Sequence, residues 1–244
     1  MSLSRGAWLG SAQFGGAVWS GDIQSNWSSL QQQVRIGQNM LLSGTWLWTT
    51  DVGGFVNGDM DDPSFLELIV RWFQWGCFCP LFRVHGVRNP GLPDSACGSA
   101  GAPTEVWAYG ARNEPILASL LALRDRLRGY IADKHELAMA TGVPIQTPTW
   151  FYFPGDAESW EPESEDQVVF GGDWLVAPVV EYQAPSRSVW LPTLPAGEHW
   201  VSFFDGANST RIAGGQRITV DTTDLARFPL FFRDSLNLTR LGLA

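Results

Sequence analysis

Residues 45–86 read TWLWTTDVGGFVNGDMDDPSFLELIVRWFQWGCFCPLFRVHG, and this stretch decides the fold. One β-rich run ends at Asp51, and a second run ends near Arg83 and His85. Between the two runs, Asp62-Pro63 offers an acidic N-cap followed by proline at the first helical position, which is typical of a helix start. The stretch therefore predicts a strand–helix–strand unit of a parallel sheet.

The same alternation continues on both sides of this stretch. Residues 17–20 (AVWS) have a strand pattern, and residues 25–42 carry apolar side chains at helical spacing. A long helix is predicted over residues 113–141, because Gly142 follows it as a C-terminal stop. This order of elements favours a parallel sheet or barrel over an all-helical or all-β fold.

Polar side chains follow each predicted strand. Asp22, Asp51 and His85 all come directly after such runs. Because parallel barrels place their chemistry at the carboxyl ends of the strands, we expect these three side chains to share one pocket. Residues 86–103, rich in Gly, Pro and Ser, are predicted to form a loop beside that rim, and a functional loop and a disordered insertion both stay open.

From residue 146 onward the pattern changes to short alternating runs separated by Gly and Pro turns, which predicts an antiparallel β-sandwich. The runs are residues 150–153, 173–180, 188–191, 199–204, 216–220 and 228–232. The acidic residues 156–166 are interpreted as a solvated loop, because they lack the ordered spacing and glycine turn of a calcium loop.

Composition narrows the classes of partner. The 244 residues carry a net charge of −9 and Lys134 is the only lysine, so a nucleic-acid partner is not expected. Residues 68–82, the most apolar stretch, are too short and too interrupted to span a membrane, so no membrane partner is expected either. The 13 Trp and 14 Phe weakly favour a neutral, hydroxyl-rich ligand such as a sugar.

The cysteine pattern excludes two further classes of site. Cys77, Cys79 and Cys97 are an odd number, with no C-x-x-C pair and no histidine at ligand spacing. A disulfide framework or zinc site is therefore not expected. We predict no metal and no organic cofactor.

No signal peptide is visible at the N-terminus, and localisation and oligomeric state stay open.

Four motifs in order carry a family resemblance. They are VWSGD (18–22), TTDVGGF (49–55), RWFQWGCFCPLFRVHG (71–86) and DWLVAPV (173–179), preceded by RGAWLGS at residues 5–11. Together they resemble glycoside hydrolase family 31, the α-glucosidase and α-xylosidase family, over roughly residues 5–233. The resemblance implies an α/β fold: the second half of a (β/α)8 TIM barrel over residues 1–145, then an antiparallel β-sandwich domain over residues 146–244.

The resemblance also implies an activity and a catalytic residue. Members are retaining glycosidases whose substrates are oligosaccharides or glycosides, and Asp22 resembles their general acid/base. Trp19 and Phe55 are expected as pocket walls. From the residues alone an alternative stays open for each of these roles. Asp22 could instead cap the next helix, and the rings of Trp19 and Phe55 could instead pack in the ordinary hydrophobic core.

The remaining expected substrate-binding residues are polar. Asp51 resembles the acid that accepts hydrogen bonds from sugar hydroxyls, Arg83 and His85 resemble the family's F-R-x-H pair, and Arg5 resembles a basic residue at the same pocket. An alternative for Arg83 is a purely structural ion pair with Asp51.

The chain departs from the family in one way that bears on chemistry. A retaining mechanism needs a nucleophilic carboxylate about 5 to 5.5 Å from the acid/base, and in the family it lies upstream of WSGD. Residues 1–21 contain neither Asp nor Glu. We therefore expect a fragment that lacks the nucleophile and does not hydrolyse α-glycosides by itself. Two smaller departures concern basic residues. Gln13 stands where the family often carries a basic residue, and the stretch GVPIQTPTWFYFP lacks the arginine that the family usually has there.

Two other functions stay in competition. The first is a non-catalytic carbohydrate-binding or pseudoenzyme module that uses Asp51, His85 and the aromatic walls. The second is an inverting pair of Asp22 and Asp51, which needs carboxylates roughly 6.5 to 9.5 Å apart. The sequence does not distinguish glucoside from xyloside specificity.

Overall fold

A computed structural model describes residues 2–89 and 101–243, apart from the side chains of residues 207 and 208, and divides into two compact units. The first unit runs to Arg124 and includes residues 180–183, and the second comprises residues 125–179 and 184–244. The middle of the predicted 86–103 loop and Cys97 lie outside the described residues.

The first unit is built on a parallel sheet of three strands. They are β1 (Ser2–Ser4), β2 (Gly16–Trp19) and β3 (Trp48–Thr49), adjacent in that order. A second parallel pair joins β4 (Gly58–Asp59) to β5 (Arg88–Asn89). The parallel register confirms the α/β, barrel-type part of the predicted fold.

Two helices connect strands of the first unit: α1 (Trp27–Leu42) lies between β2 and β3, and α2 (Pro63–Gly76) lies between β4 and β5. After β5 the chain continues into α3 (Gly110–Arg126), and α4 (Arg128–Thr141) and the short α5 (Thr149–Tyr152) belong to the second unit. The side chain of Asp62 caps α2 by accepting a 2.8 Å hydrogen bond from a backbone N–H, as the sequence predicted. Within the part of the chain that the structure describes, no helix is long and apolar enough to cross a bilayer.

The predicted β-rich run that ends near Arg83 and His85 is present only as an extended segment. The chain follows β3, with the Leu81 N–H donating to the Trp48 carbonyl at 3.3 Å and the Val52 N–H to the Arg83 carbonyl at 3.1 Å. Only Val84 forms a β-bridge, to Val52. The segment forms too few hydrogen bonds with its neighbour to be a β-strand, but it runs parallel to β3.

The single long helix predicted over residues 113–141 is wrong. The structure has α3 and α4, separated at Leu127, whose ψ of −3° departs from helical geometry. Two features coincide with the break: the Leu127 side chain is fully buried, and Gly129, two residues later, has low helix propensity. The apolar spacing continues through the break, so periodicity alone does not reveal it.

The second unit is a β-sandwich. One antiparallel sheet has the order β11-β10-β13-β8-β7-β6, and a two-stranded sheet pairs β9 with β12. The strands are β6 (Gln146–Pro148), β7 (Val168–Phe170), β8 (Trp174–Val176), β9 (Ser186–Leu191), β10 (Trp200–Ser202), β11 (Arg211–Ile212), β12 (Gln216–Asp221) and β13 (Leu230–Arg233). Val169 and Leu175 from one sheet and Val189 and Leu191 from the other share a core, which confirms the predicted sandwich.

One predicted strand of this unit is wrong. Residues 150–153 lie mostly in α5, which begins directly after Pro148. Trp150 stacks on Trp160, with ring centroids 4.7 Å apart and an interplanar angle of 12°. The alternating aromatic pattern therefore reflects ring packing on a helical turn.

Gly54 offers a stability test with a matched control. Its φ is +77°, and a Cβ would lie 2.6 Å from Ser25 Cα and 2.7 Å from the Gln24 carbonyl, whereas Gly21 has φ +80° and open space. Gly21→Ala is expected to cost only the backbone strain, about 1 to 2 kcal/mol, and Gly54→Ala clearly more. Urea unfolding followed by tryptophan fluorescence measures both. Equal losses would show that the Gly54 loop is not tightly packed.

Candidate functional site

The side chains expected in the site follow successive segments of the parallel sheet. Arg5 comes one residue after β1, Asp22 three residues after β2, and Asp51 two residues after β3. Arg83 and His85 belong to the extended segment that runs beside β3. Since parallel strands end at the same edge, these five side chains lie at one rim of the first unit.

Asp22 forms an ion pair with Arg5 at the exposed part of the rim. Arg5 Nη2 donates to Asp22 Oδ2, and the two side chains are 67% and 40% exposed. Exposed pairs of this kind contribute about 0 to 1 kcal/mol, so the pair orients the carboxylate more than it stabilises the fold. The cap of α1 is Asn26, whose side chain accepts from the Ser29 N–H at 2.8 Å, so Asp22 does not serve as the helix cap.

Asp51 is a second carboxylate in a different environment. Its side chain is 0% exposed; Oδ1 accepts from Arg83 Nη1, and Oδ2 is buried with no hydrogen-bond partner in residues 2–89 and 101–243. Burial raises the pKa of Asp51 to about 6, against the opposing effect of the Arg83 charge, and the Asp22 charge raises it further. Asp51 Oδ2 is therefore a hydrogen-bond acceptor to which none of the described residues donates.

Trp19 lies between the two arginines of these ion pairs. The guanidinium carbon of Arg5 is 5.8 Å from the indole ring centroid, and that of Arg83 is 5.6 Å from it. Both distances are within the range of cation–π attraction. The Trp19 ring is therefore near the arginine that pairs with the exposed Asp22 and also near the arginine that pairs with the buried Asp51.

His85 and Phe55 form another side of the rim. Their ring centroids are 5.3 Å apart, with an interplanar angle of 40°. Burial lowers the pKa of His85, and the positive charge of Arg83 lowers it further. His85 is therefore neutral near pH 7 and presents one N–H donor and one nitrogen acceptor.

Arg88 is a residue that the sequence motifs did not single out. It is 0% exposed, and its guanidinium donates to the Gly54 carbonyl at 2.7 Å, the Val52 carbonyl at 3.3 Å and the Tyr109 hydroxyl at 3.3 Å. The one signal in the sequence lies far from Arg88, at Gly53-Gly54: a Cβ on Gly53 would lie 2.9 Å from Arg88 Nη2, so glycine lets the chain pass close to the guanidinium.

The arrangement suits recognition of a polyhydroxylated ligand. Asp51 supplies a buried acceptor, Arg83 and neutral His85 supply donors, and the rings of Trp19 and Phe55 offer apolar faces. Among the residues that the structure describes, no group of three or more His, Cys, Asp or Glu side chains is placed to hold a metal ion.

Comparisons with known proteins identify a family. The family model for the glycosyl hydrolases family 31 TIM-barrel domain matches residues 1–134, and the model for the family 31 C-terminal domain matches residues 142–235. The solved structure of a family 31 α-xylosidase from a soil metagenome, complexed with xylose, has 43% identity and a TM-score of 0.88. It is matched over 98% of this chain and 35% of that chain.

Curated relatives extend the comparison. An α-xylosidase of Saccharolobus solfataricus is 31% identical over 98% of this chain and 30% of its own length. Alpha-glucosidase 2 of Bacillus thermoamyloliquefaciens is 29% identical over 95% of this chain and 26% of its own length. The chain thus spans about a third of the length of the α-xylosidases that it matches, or less.

The titration of Asp51 gives a direct test of the site. We expect its carboxyl carbon to titrate with a midpoint near pH 6 in NMR, well above the ordinary 3.8. Because the folded chain then holds the proton more tightly than the unfolded chain, stability falls as the pH rises from 3.8 to about 6 and levels off above that.

Asp51→Asn should remove this slope, while the exposed Asp61→Asn should keep it. A midpoint near 4 for Asp51 would contradict the buried environment.

Proposed function

The chain belongs to glycosyl hydrolase family 31, and from that premise we propose that it supplies the acid/base and part of the sugar pocket of a retaining α-glycosidase acting on α-xylosides or α-glucosides. We further propose that residues 1–145 are the second half of the (β/α)8 barrel and residues 146–244 the β-domain after it. The relatives named as α-xylosidase and α-glucosidase support the two substrate classes.

The unpaired oxygen of Asp51 carries the sugar-binding part of the proposal. A buried carboxylate oxygen without a donor is costly, and two hydroxyls of a pyranose would satisfy it once the side chains that cover it move aside. Arg83 already holds the other oxygen, so Asp51 and Arg83 act as one prepared acceptor–donor unit. The ion pair therefore supports a binding role as well as a structural one.

Asp22 carries the catalytic part of the proposal. In a retaining mechanism it would protonate the departing glycosidic oxygen and then, as a carboxylate, activate the water that releases the sugar. Its exposure at the rim fits a group that must meet both a leaving group and water. Arg5 would then be a positioning residue that fixes the orientation of the carboxylate.

This chain holds only one of the two carboxylates that the mechanism requires in family terms. Residues 1–21 contain no Asp or Glu, and the relatives are about three times longer. We therefore propose that the chain by itself binds sugar without turning over a glycoside, and that hydrolysis belongs to the longer protein.

Two competing functions remain testable on the chain. Titration calorimetry with xylose, glucose and isoprimeverose tests binding, and no heat with any of them would remove both the proposed pocket and a binding module. Turnover of an aryl α-xyloside by this chain, abolished by Asp22→Asn, would favour the inverting pair of Asp22 and Asp51 instead.

An affinity label separates the acid/base from a pure binding module. N-bromoacetyl xylosylamine carries an electrophilic CH2Br group on the anomeric nitrogen, so a carboxylate beside the anomeric centre should displace bromide and form an ester with the methylene carbon. We expect mass spectrometry to locate the ester on Asp22, and excess xylose to slow the labelling.

Asp22→Asn should lose the label, and Asp61→Asn should keep it. Labelling that is random, or that xylose does not slow, would contradict the proposed role of Asp22.

A further inference from the structure

We propose that Arg88 is a positioning residue that holds the three rim loops carrying Asp22, Asp51 and His85 in their sugar-binding arrangement. The inference deepens the proposed function and rests on it for the identity of the ligand. The geometry of Arg88 itself comes from contacts within the first unit.

Arg88 is satisfied in an unusual way for a buried charge. Its side chain has no exposed surface, and it forms no ion pair with a carboxylate among residues 2–89 and 101–243. Its polar partners are two backbone carbonyls and one tyrosine hydroxyl, and Phe65 lies under the guanidinium at 5.2 Å. Burying an arginine this way costs desolvation energy, and an apolar side chain would fill the same space at lower cost.

The two backbone carbonyls that accept from Arg88 indicate the role of its guanidinium group. Val52 and Gly54 are the first and third residues after Asp51, so one guanidinium fixes both ends of the turn that follows this carboxylate. The planar fork of arginine matches two carbonyls at once, which a lysine ammonium cannot do in the same geometry. Arg88 therefore sets the backbone on which Asp51 is mounted.

The turn held by Arg88 connects to both neighbouring loops. The Phe55 N–H donates to the Ile23 carbonyl at 2.7 Å, next to Asp22, and the Val87 N–H donates to the Phe55 carbonyl at 2.7 Å, two residues after His85. Loss of the guanidinium would release the middle loop, and the two hydrogen bonds that join it to the outer loops would weaken with it.

Close packing around Arg88 supports the same interpretation. A Cβ on Gly86, the residue after His85, would lie 2.4 Å from Arg88 Nη1. The positive charge of Arg88 also lowers the pKa of both Asp51 and His85, so it lies close enough to act electrostatically on two of the three site groups. Arg83 and Asp22 act on the same two groups.

Arg124 provides a matched control in the same unit. It also uses a guanidinium to hold backbone carbonyls, those of Cys77, Cys79 and Pro80, at 2.7 to 2.9 Å. These carbonyls come directly before Leu81, at the opposite end of the extended segment from His85. A variant of Arg124 therefore tests the loss of a half-buried arginine clamp that has no hydrogen bond to the loop after Asp51.

The experiment compares Arg88→Lys, Arg88→Gln and Arg124→Lys in the full chain. NMR hydrogen exchange follows the Phe55 and Val87 amides, calorimetry follows xylose binding, and thermal unfolding measures stability. For both Arg88 variants we expect exchange of the two rim amides to rise at least tenfold relative to amides of α1 and α2, and xylose affinity to fall at least tenfold. For Arg124→Lys we expect both readouts to stay within twofold at a comparable loss of Tm.

Each other outcome has a defined meaning. Rim amides that exchange within twofold of the parent in Arg88→Lys would overturn the proposal, as would an equal loss of xylose affinity in Arg124→Lys. If Arg88→Gln does not fold, Arg88→Lys decides. If the parent chain binds no xylose, the proposed function fails, and the exchange of the rim amides still decides whether Arg88 holds the loops.

Discussion

A carboxylate with no exposed surface, Asp51, is the constraint on which the site depends. A buried charge is tolerated only when it is paired, and Arg83 pairs one of its oxygens. Arg88 adds a second positive charge close to Asp51, and the Trp19 ring is within cation–π distance of both Arg83 and Arg5. The positions of these charged and aromatic groups follow from the need to hold one buried anion at a sheet edge.

The sequence predicts the parts of the fold that have strong local signals. The N-cap at Asp62 with proline after it fixed the start of α2, and polar residues after β-rich runs placed Asp22 and Asp51 at one edge. The break at Leu127 and the helical turn of residues 149–152 could not be predicted, because apolar and aromatic periodicity persists through both. The break coincides with a buried leucine and the helical turn with a stacked pair of tryptophans, and both are contacts of the folded chain.

Some residues of the candidate site can be predicted from the sequence, and others cannot. Motif residues such as Asp51 and Arg83 stand out in the sequence, and their ion pair follows from strand register. Arg88 does not stand out, because a charged residue beside a Gly- and Pro-rich stretch is usually solvated. Its burial depends on Phe65 and Tyr109, which come from distant parts of the chain. Contacts over that sequence separation leave no local pattern.

Membership of family 31 gives the rim a chemical context, and the chain length limits what the rim does alone. The chain is similar to about a third of each α-xylosidase relative, and the proposed retaining mechanism needs a second carboxylate besides Asp22. In the proposed function, the chain supplies the acid Asp22, the hydroxyl acceptor Asp51 and the loops between them.

A crystal structure of the chain soaked with xylose tests whether Asp51 and Asp22 bind one sugar. We predict the sugar at the rim, with hydroxyls about 2.6 to 3.0 Å from Asp51 Oδ2 and the anomeric carbon facing Asp22. Xylose bound elsewhere, or at the rim with Asp51 Oδ2 still unpaired, would contradict it.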